Sequence, residues 1–405
     1  TIGDFKYKIN DGTAEISSCV KSKENYINII IPSSITYGGS EYMVTSIGDY
    51  AFGSCSYLTS ITIPNSITLI GDYAFLNCLS LTSITIPNSV TFIGERVFRG
   101  CSKLISVEWN AENYYGISSK ELSFFYDIRE QITSFVFGDS VVYIPYCLCY
   151  GMNKLTSIVI PNSVTIIGLE AFYNCSSLKS IEIPEQVSDI GYSAFDRCSS
   201  VSSVKWNAKN VPNFSNKTSA IFYNIRKQIT SFVFGDSVQN IPSYLCCEMD
   251  KLTSIQLPNS VVTIGKEVFK DCSSLSSQIT IPYNVNFIGE DVFAGCSKIT
   301  SVRWNAESCP YSSNYMEEDP FHAIKEQITS FVFGGAVFAL IYIVKPQDIL
   351  MRNGLFLGTY PLKTVMLGAI IGFFIIVTAF SIVKNKISKK DMFCDIMVWQ
   401  NLERI

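Results

Sequence analysis

Histidine is almost absent: His322 is the only one in 405 residues. Charge is sparse as well, at 16% of residues, and nearly cancels to a formal −4. Lysine and arginine cluster only towards the C-terminal end, so there is no basic field to hold a phosphate backbone, which excludes nucleic acid as a partner. No two cysteines stand at C-x-x-C spacing. A glycine-rich phosphate loop, a nucleophile elbow and paired acid/base carboxylates are missing too. These gaps leave no catalytic set, cofactor or metal to assign, and the chain reads as a non-enzyme. His322 in PFHAI takes the place of Tyr126 in FFYDI and Tyr223 in IFYNI, so it reads as a packing residue rather than a base. No secretory signal is visible, and the chain starts at Thr1 rather than Met, as in a mature form or a fragment.

What is present is repetition. YLTSITIPNSITLIGDYAFLNC, residues 57–78, returns almost unchanged as LTSITIPNSVTFIGERVFRGC, residues 81–101. Ile84-Thr85-Ile86 alternates apolar and polar, the period of a short strand with one buried face. Pro87 ends it for want of an N–H, Asn88-Ser89 is turn chemistry, and Gly94 lets the backbone bend. Glu95 to Phe98 has room for one helical turn. One such unit encloses no core, whereas stacked units do. Rungs begin at 26, 58, 81, 104, 132, 155, 178, 201, 229, 252, 276, 299 and 328, mostly 23 residues apart. A longer unit of about 97 residues relates Trp109, Trp206 and Trp304, and aligns QITSFVFG at Gln131, Gln228 and Gln327. The pattern predicts a repeat solenoid of about 13 rungs, one parallel strand each, mainly β with short helical turns.

The L-x-x-I-x-I-P core with I-G-x-x-A-F-x-x-C resembles the BspA-like class of leucine-rich repeats. WNA followed by QITSFVFGDSV resembles versions in surface proteins of Bacteroides-type gut bacteria. The likeness covers roughly residues 30–334. It implies a leucine-rich-repeat solenoid at a cell surface, with adhesion or host-protein binding as its role and no catalytic residues to carry over.

Residues 1–46 depart from the beat and read as an N-terminal cap, with strands at FKYKI, AEISSCV and YINIIIP. The repeats run from 47 to 334 without a linker. Cys55, Cys78, Cys101, Cys175, Cys198, Cys272 and Cys296 hold one repeat position and are expected to form an inward file of free thiols, with disulfides between neighbouring rungs as the alternative. Cys147, Cys149, Cys246 and Cys247 read as convex-side packing. Each long step, after Trp109, Trp206 and Trp304, carries extra loop and a short helix, either a contact surface or packing. Two residues after the rung start comes serine in eleven of thirteen rungs; four after it, the residue varies. This varying file should face outwards, and Glu108, Glu182, Lys205, Gln256 and Arg303 are the candidate ligand-binding residues for a protein or glycan at the cell surface. The competing reading is free drift of solvent-facing positions.

At Gly335 the repeat breaks. Residues 335–363 form an irregular connector, and 364–383 are twenty residues without a charge, long enough to cross a bilayer as a helix. Lys384, Lys386, Lys389 and Lys390 follow, which puts the tail 384–405 in the cytoplasm and the repeats outside. The sequence leaves two other readings open. One is a structural envelope protein contacting surface polysaccharide. In the other, a repeat fragment is joined near Gly335 to the start of a membrane glycan-assembly protein, which YIVKPQDIL resembles.

Overall fold

In the computed structural model, residues 1–19, 27–112, 114, 123–306 and 320–333 are described. They fall into two compact units, Thr1–Val238 and the chain from Gln239 onward. Each is a stack of repeat rungs with parallel strands, few helices and an apolar interior.

In the first unit the alternation of Ser83–Ile86 buries Ile84 and Ile86 and exposes Ser83 and Thr85. This strand pairs in parallel with Ser106–Trp109, which pairs in turn with Ser134–Phe137. Register sets Ile84, Val107 and Phe135 in one inward row, so the 23-residue spacing becomes direct stacking. Ser180–Ile183, Ser203–Trp206 and Ser231–Phe234 repeat the arrangement. Past the proline turn, two-residue strands make further ladders, Tyr143–Ile144 with Ile166–Ile167 and Asp189–Ile190 among them.

The stretch 95–98 is not the helical turn that its length permits. It is a run of turns whose partners across the rung boundary are aligned. Tyr73 N donates to Glu95 O (3.0 Å), Phe75 N to Val97 O (3.0 Å) and Asn77 N to Arg99 O (2.8 Å). A helix would aim these donors along its own axis; the turns aim them at the neighbouring rung. Left-handed residues make this possible, including Tyr73 at φ 53 and Asn77 at φ 55. The cost of that conformation is offset by hydrogen bonds that would otherwise go unmade inside the stack. Gly94 is required for closeness rather than for bending, since a Cβ there would meet Asp72 N at 2.5 Å and Gly71 C at 2.7 Å.

Inside, Phe52, Phe75, Phe98 and Phe125 stack face to face at 5.3, 5.5 and 5.2 Å. Beside them runs the cysteine file, buried and free. Cys78 Sγ donates to Phe52 O (3.3 Å), Cys101 Sγ to Phe75 O (3.1 Å) and Cys198 Sγ to Phe172 O (3.1 Å). Burial pushes the Cys198 thiol up to about 12, so the thiolate form is disfavoured. The twelve described cysteines include no disulfide between rungs. Cys149 does not pack on the convex side: it stands in the phenylalanine file, and Cys175 Sγ donates to its carbonyl (3.1 Å).

At the N-terminal end, Phe5–Asn10 and Thr13–Cys19 form an antiparallel hairpin about Asp11-Gly12, at φ 38 and 81. Thr13–Cys19 then pairs in parallel with Ser40–Ile47, which leads into Leu69–Ile70 and Phe92–Ile93.

The rung starting at Leu155 corrects the expectation of one strand per rung, because 155–160 carries none. The preceding strand turns two phenylalanines inward, Phe135 and Phe137, tilted 54° at 5.1 Å.

The second unit uses the same parts. Asn240–Ile241, Thr263–Ile264 and Phe287–Ile288 pair in parallel, as do Ser277–Ile281, Ile299–Trp304 and Ser330–Phe333. Phe269, Phe293 and Phe321 stack at 5.6 and 5.4 Å. Residues 252–258 again form no strand, and Cys246 fills the interior rather than the convex side.

Each long step carries a 3-10 helix: Tyr126–Gln131, Tyr223–Gln228 and His322–Ile324. The recurring glutamine closes the step. Gln131 Nε2 donates to Cys101 O (2.5 Å) and Leu104 O (3.0 Å), and Gln228 Nε2 to Cys198 O (2.7 Å). Residues 335–405, with the expected membrane span, lie outside the described residues, as does the His322 side chain. Among the described residues no helix is long and apolar enough to cross a membrane.

Candidate binding face

Strand alternation that buries one row must expose the next. In the first unit the exposed row four residues into each rung includes Thr62, Thr85, Glu108, Val136, Val159, Glu182, Lys205 and Val233. The serine row, Ser83, Ser106 and Ser134 among it, lies on the same face. In the second unit Gln256, Thr280 and Arg303 are exposed in the equivalent row. All five candidate residues therefore face outwards.

They are not equivalent. Glu182 and Lys205 sit opposite each other in register, with Lys205 Nζ 2.8 Å from Glu182 Oε1. Asn207 Nδ2 donates to the same oxygen at 2.9 Å. Glu108 lies three rungs away. It accepts from Thr85 Oγ1 (3.0 Å) and Asn110 Nδ2 (3.2 Å), so its charge is held in place without a cation opposite. Arg303 stands in register between Thr280 and Val332, and Gln256 lies on a rung without a strand.

The hydrogen bond from Lys205 holds the Glu182 carboxyl below the usual carboxylate range. A depressed acid contributes stability that is present above its unfolded value, about 4.3, and is lost as pH falls through the folded value. Both side chains are half exposed, which limits the pair to under about 1 kcal/mol. Glu182→Gln should therefore lower the thermal midpoint slightly at pH 7, and the gap should narrow as the pH falls below about 4. A gap that does not narrow with falling pH would mean that packing, not charge, carries the effect.

Sequence reasoning passed over the apolar members of this face. Val159 is 80% exposed and Val136 54%, on consecutive rungs next to the Glu108 rung. Exposed valine at a repeat position was the available signal. It also passed over tyrosine columns on the turns: Tyr50 stacks on Tyr73 at 5.0 Å and Tyr150 on Tyr173 at 4.9 Å, with Arg197 over the Tyr173 ring at 5.4 Å. Among the described residues no group of histidine, cysteine, aspartate or glutamate is placed to hold a metal ion.

A family model described as the BspA type leucine rich repeat region matches in six copies, over residues 15–148, 118–245 and 215–340. No curated protein matches the chain. Among solved structures, a leucine rich cell surface protein from Faecalibacterium prausnitzii is similar at 25% identity. That match covers 83% of this chain and 94% of that one, with a TM-score of 0.39. A leucine-rich repeat protein from Bacteroides ovatus is similar at 26% identity, over 75% and 94%, with a TM-score of 0.40. One from Eubacterium ventriosum is similar at 20% identity, over 71% and 91%, with a TM-score of 0.38.

Proposed function

Because the chain belongs to the BspA type leucine rich repeat family, we propose that it is a cell-surface protein whose outward strand face binds protein, in adhesion to host or neighbouring cells. The observation that carries this reading is the row Glu108, Val136, Val159. It combines a carboxylate fixed by Thr85 and Asn110 with two of the most exposed valines in the first unit. An oriented charge beside exposed aliphatic surface, in a frame of small hydroxyl residues, matches what protein interfaces use: an apolar centre with a polar surround. Glu182 and Lys205 extend the face as a paired charge, and Gln256 and Arg303 are its counterparts in the second unit. Residues 364–383 anchor the chain, with the repeats outside and residues 384–405 in the cytoplasm. A second reading, contact with surface polysaccharide, is favoured by the stacked tyrosine columns.

Bacterial cells displaying the full chain test the proposal. External protease should strip the repeats from intact cells, and the undigested chain should stay with membranes after alkaline carbonate washing. Display should make the cells adhere to an epithelial monolayer. Glu108→Lys with Val136→Asp and Val159→Asp should reduce adhesion about tenfold or more, the loss of roughly 1.4 kcal/mol. Full adhesion at an unchanged thermal midpoint would remove this face as the binding site. Adhesion competed by soluble polysaccharide and not by protein would favour the second reading.

A further inference from the structure

Cys19 ends the hairpin strand Thr13–Cys19, and Cys55 is the first member of the cysteine file in the repeats. They are 36 residues apart in sequence, yet their sulfurs lie 3.3 Å from each other. The backbone fixes the approach, since Cys19 N donates to Ala51 O at 3.2 Å, four residues before Cys55. Cys19 is half-buried, while the other eleven described cysteines are buried. Solvent therefore reaches this pair from one side only, through Cys19. A disulfide needs sulfurs about 2.05 Å apart, and these two already stand in contact at 3.3 Å.

We propose that Cys19 and Cys55 are a modification site: a disulfide forms between them and fastens the N-terminal hairpin to the first repeat, with a low-molecular-weight disulfide such as oxidised glutathione as the oxidant. The Cys19 thiolate attacks one sulfur of the oxidant, giving a mixed disulfide and one released thiolate, which takes up the Cys19 proton. Cys55 loses its proton and attacks the Cys19 sulfur, and the second half of the oxidant leaves as a thiolate that takes up that proton. Two protein thiols are oxidised by two electrons, one small disulfide is reduced to two thiols, and no other reactant is needed.

The position gives the bond its effect. The hairpin covers the end of the stack, with the Phe5 ring edge-on against Phe52 at 6.0 Å. An uncovered end would leave apolar rungs and a strand edge open. Linking residues 36 apart also removes freedom from the unfolded chain, so the hairpin frays less readily.

The test incubates the full chain with oxidised glutathione, then maps peptides and records thermal unfolding. The expected result is one joined peptide pair, Cys19 with Cys55, lighter by two hydrogens, and a raised midpoint that reduction reverses. Cys19→Ser should show neither the joined pair nor the rise. Cys19 carrying glutathione while Cys55 stays a thiol would overturn the proposal, as would no reaction or Cys19 joined elsewhere. A joined pair with an unchanged midpoint would overturn the fastening. If Cys19→Ser does not fold, the peptide map of the unaltered chain still decides.

Discussion

Replacing Phe172 by alanine should destabilise the first unit by about 3–5 kcal/mol, the range for buried phenylalanine. The side chain is fully buried and sits between two different contacts. Phe195 stacks on one face at 5.3 Å and 4°, and Phe137 meets it edge-on at 6.3 Å and 82°. Neighbouring backbones limit collapse into the space left behind. Phe172 N donates to Ala194 O at 2.8 Å, and Cys198 Sγ donates to Phe172 O at 3.1 Å, so the next rung is held at two points while the ring is removed. Denaturant unfolding, followed by a probe in the first unit, reads the loss. An unchanged midpoint would contradict the placement of the phenylalanine file in the interior.

Gly191→Ala should cost about 3 kcal/mol, the upper part of the range for overpacking or beyond it. A Cβ there would touch Leu169 N, and would lie 2.5 Å from Leu169 Cα and 2.7 Å from Gly168 C. All three atoms are backbone, and no rotamer change moves them. Relief requires rungs to part where Gly191 N donates to Ile167 O at 2.8 Å. Gly12→Ala separates crowding from conformation: Gly12 has φ 81 but nothing within 4 Å of its added Cβ. That change should cost only about 1–2 kcal/mol, the strain of the left-handed region. Equal losses at the two sites would show that contact between rungs is looser than it looks.

The rung period, the inward phenylalanine and cysteine files and the outward row were legible because each is a residue type recurring at a fixed offset. The Glu182–Lys205 pair was legible in principle for the same reason, as the two are 23 residues apart, one rung. The turns of the IG-x-x-A-F stretch were not. Tyr73, Glu170 and Glu267 hold left-handed backbone without being glycine, asparagine or aspartate. What selects that conformation is a hydrogen bond to a rung more than 20 residues away, which local propensity does not encode. The missing strand at 155–160 was hidden as well: LTSIVIP matches its neighbours, yet neither it nor 252–258, one long unit later, forms a strand. Cys149 was misplaced because glycine gives way to proline in its rung, which obscured the alignment of its LC with AF elsewhere. The Cys19–Cys55 contact had no period to announce it, since Cys19 stands before the repeats begin.

The bonds from one rung to the next have a consequence for the gene. Gln131 and Gln228 make the same closure one long unit apart, and Asn110 lies against Gly138 as Asn207 lies against Gly235. Recombination that joined codon 110 to codon 208 would delete 97 residues and leave every remaining junction with a partner of the same kind. Slippage by one codon would instead put each apolar side chain on the wrong face. Selection therefore meets two unlike kinds of length change: whole-unit gains and losses that pass through folding unnoticed, and frame-preserving single insertions that strands reject and the loops after Trp109 and Trp206 absorb.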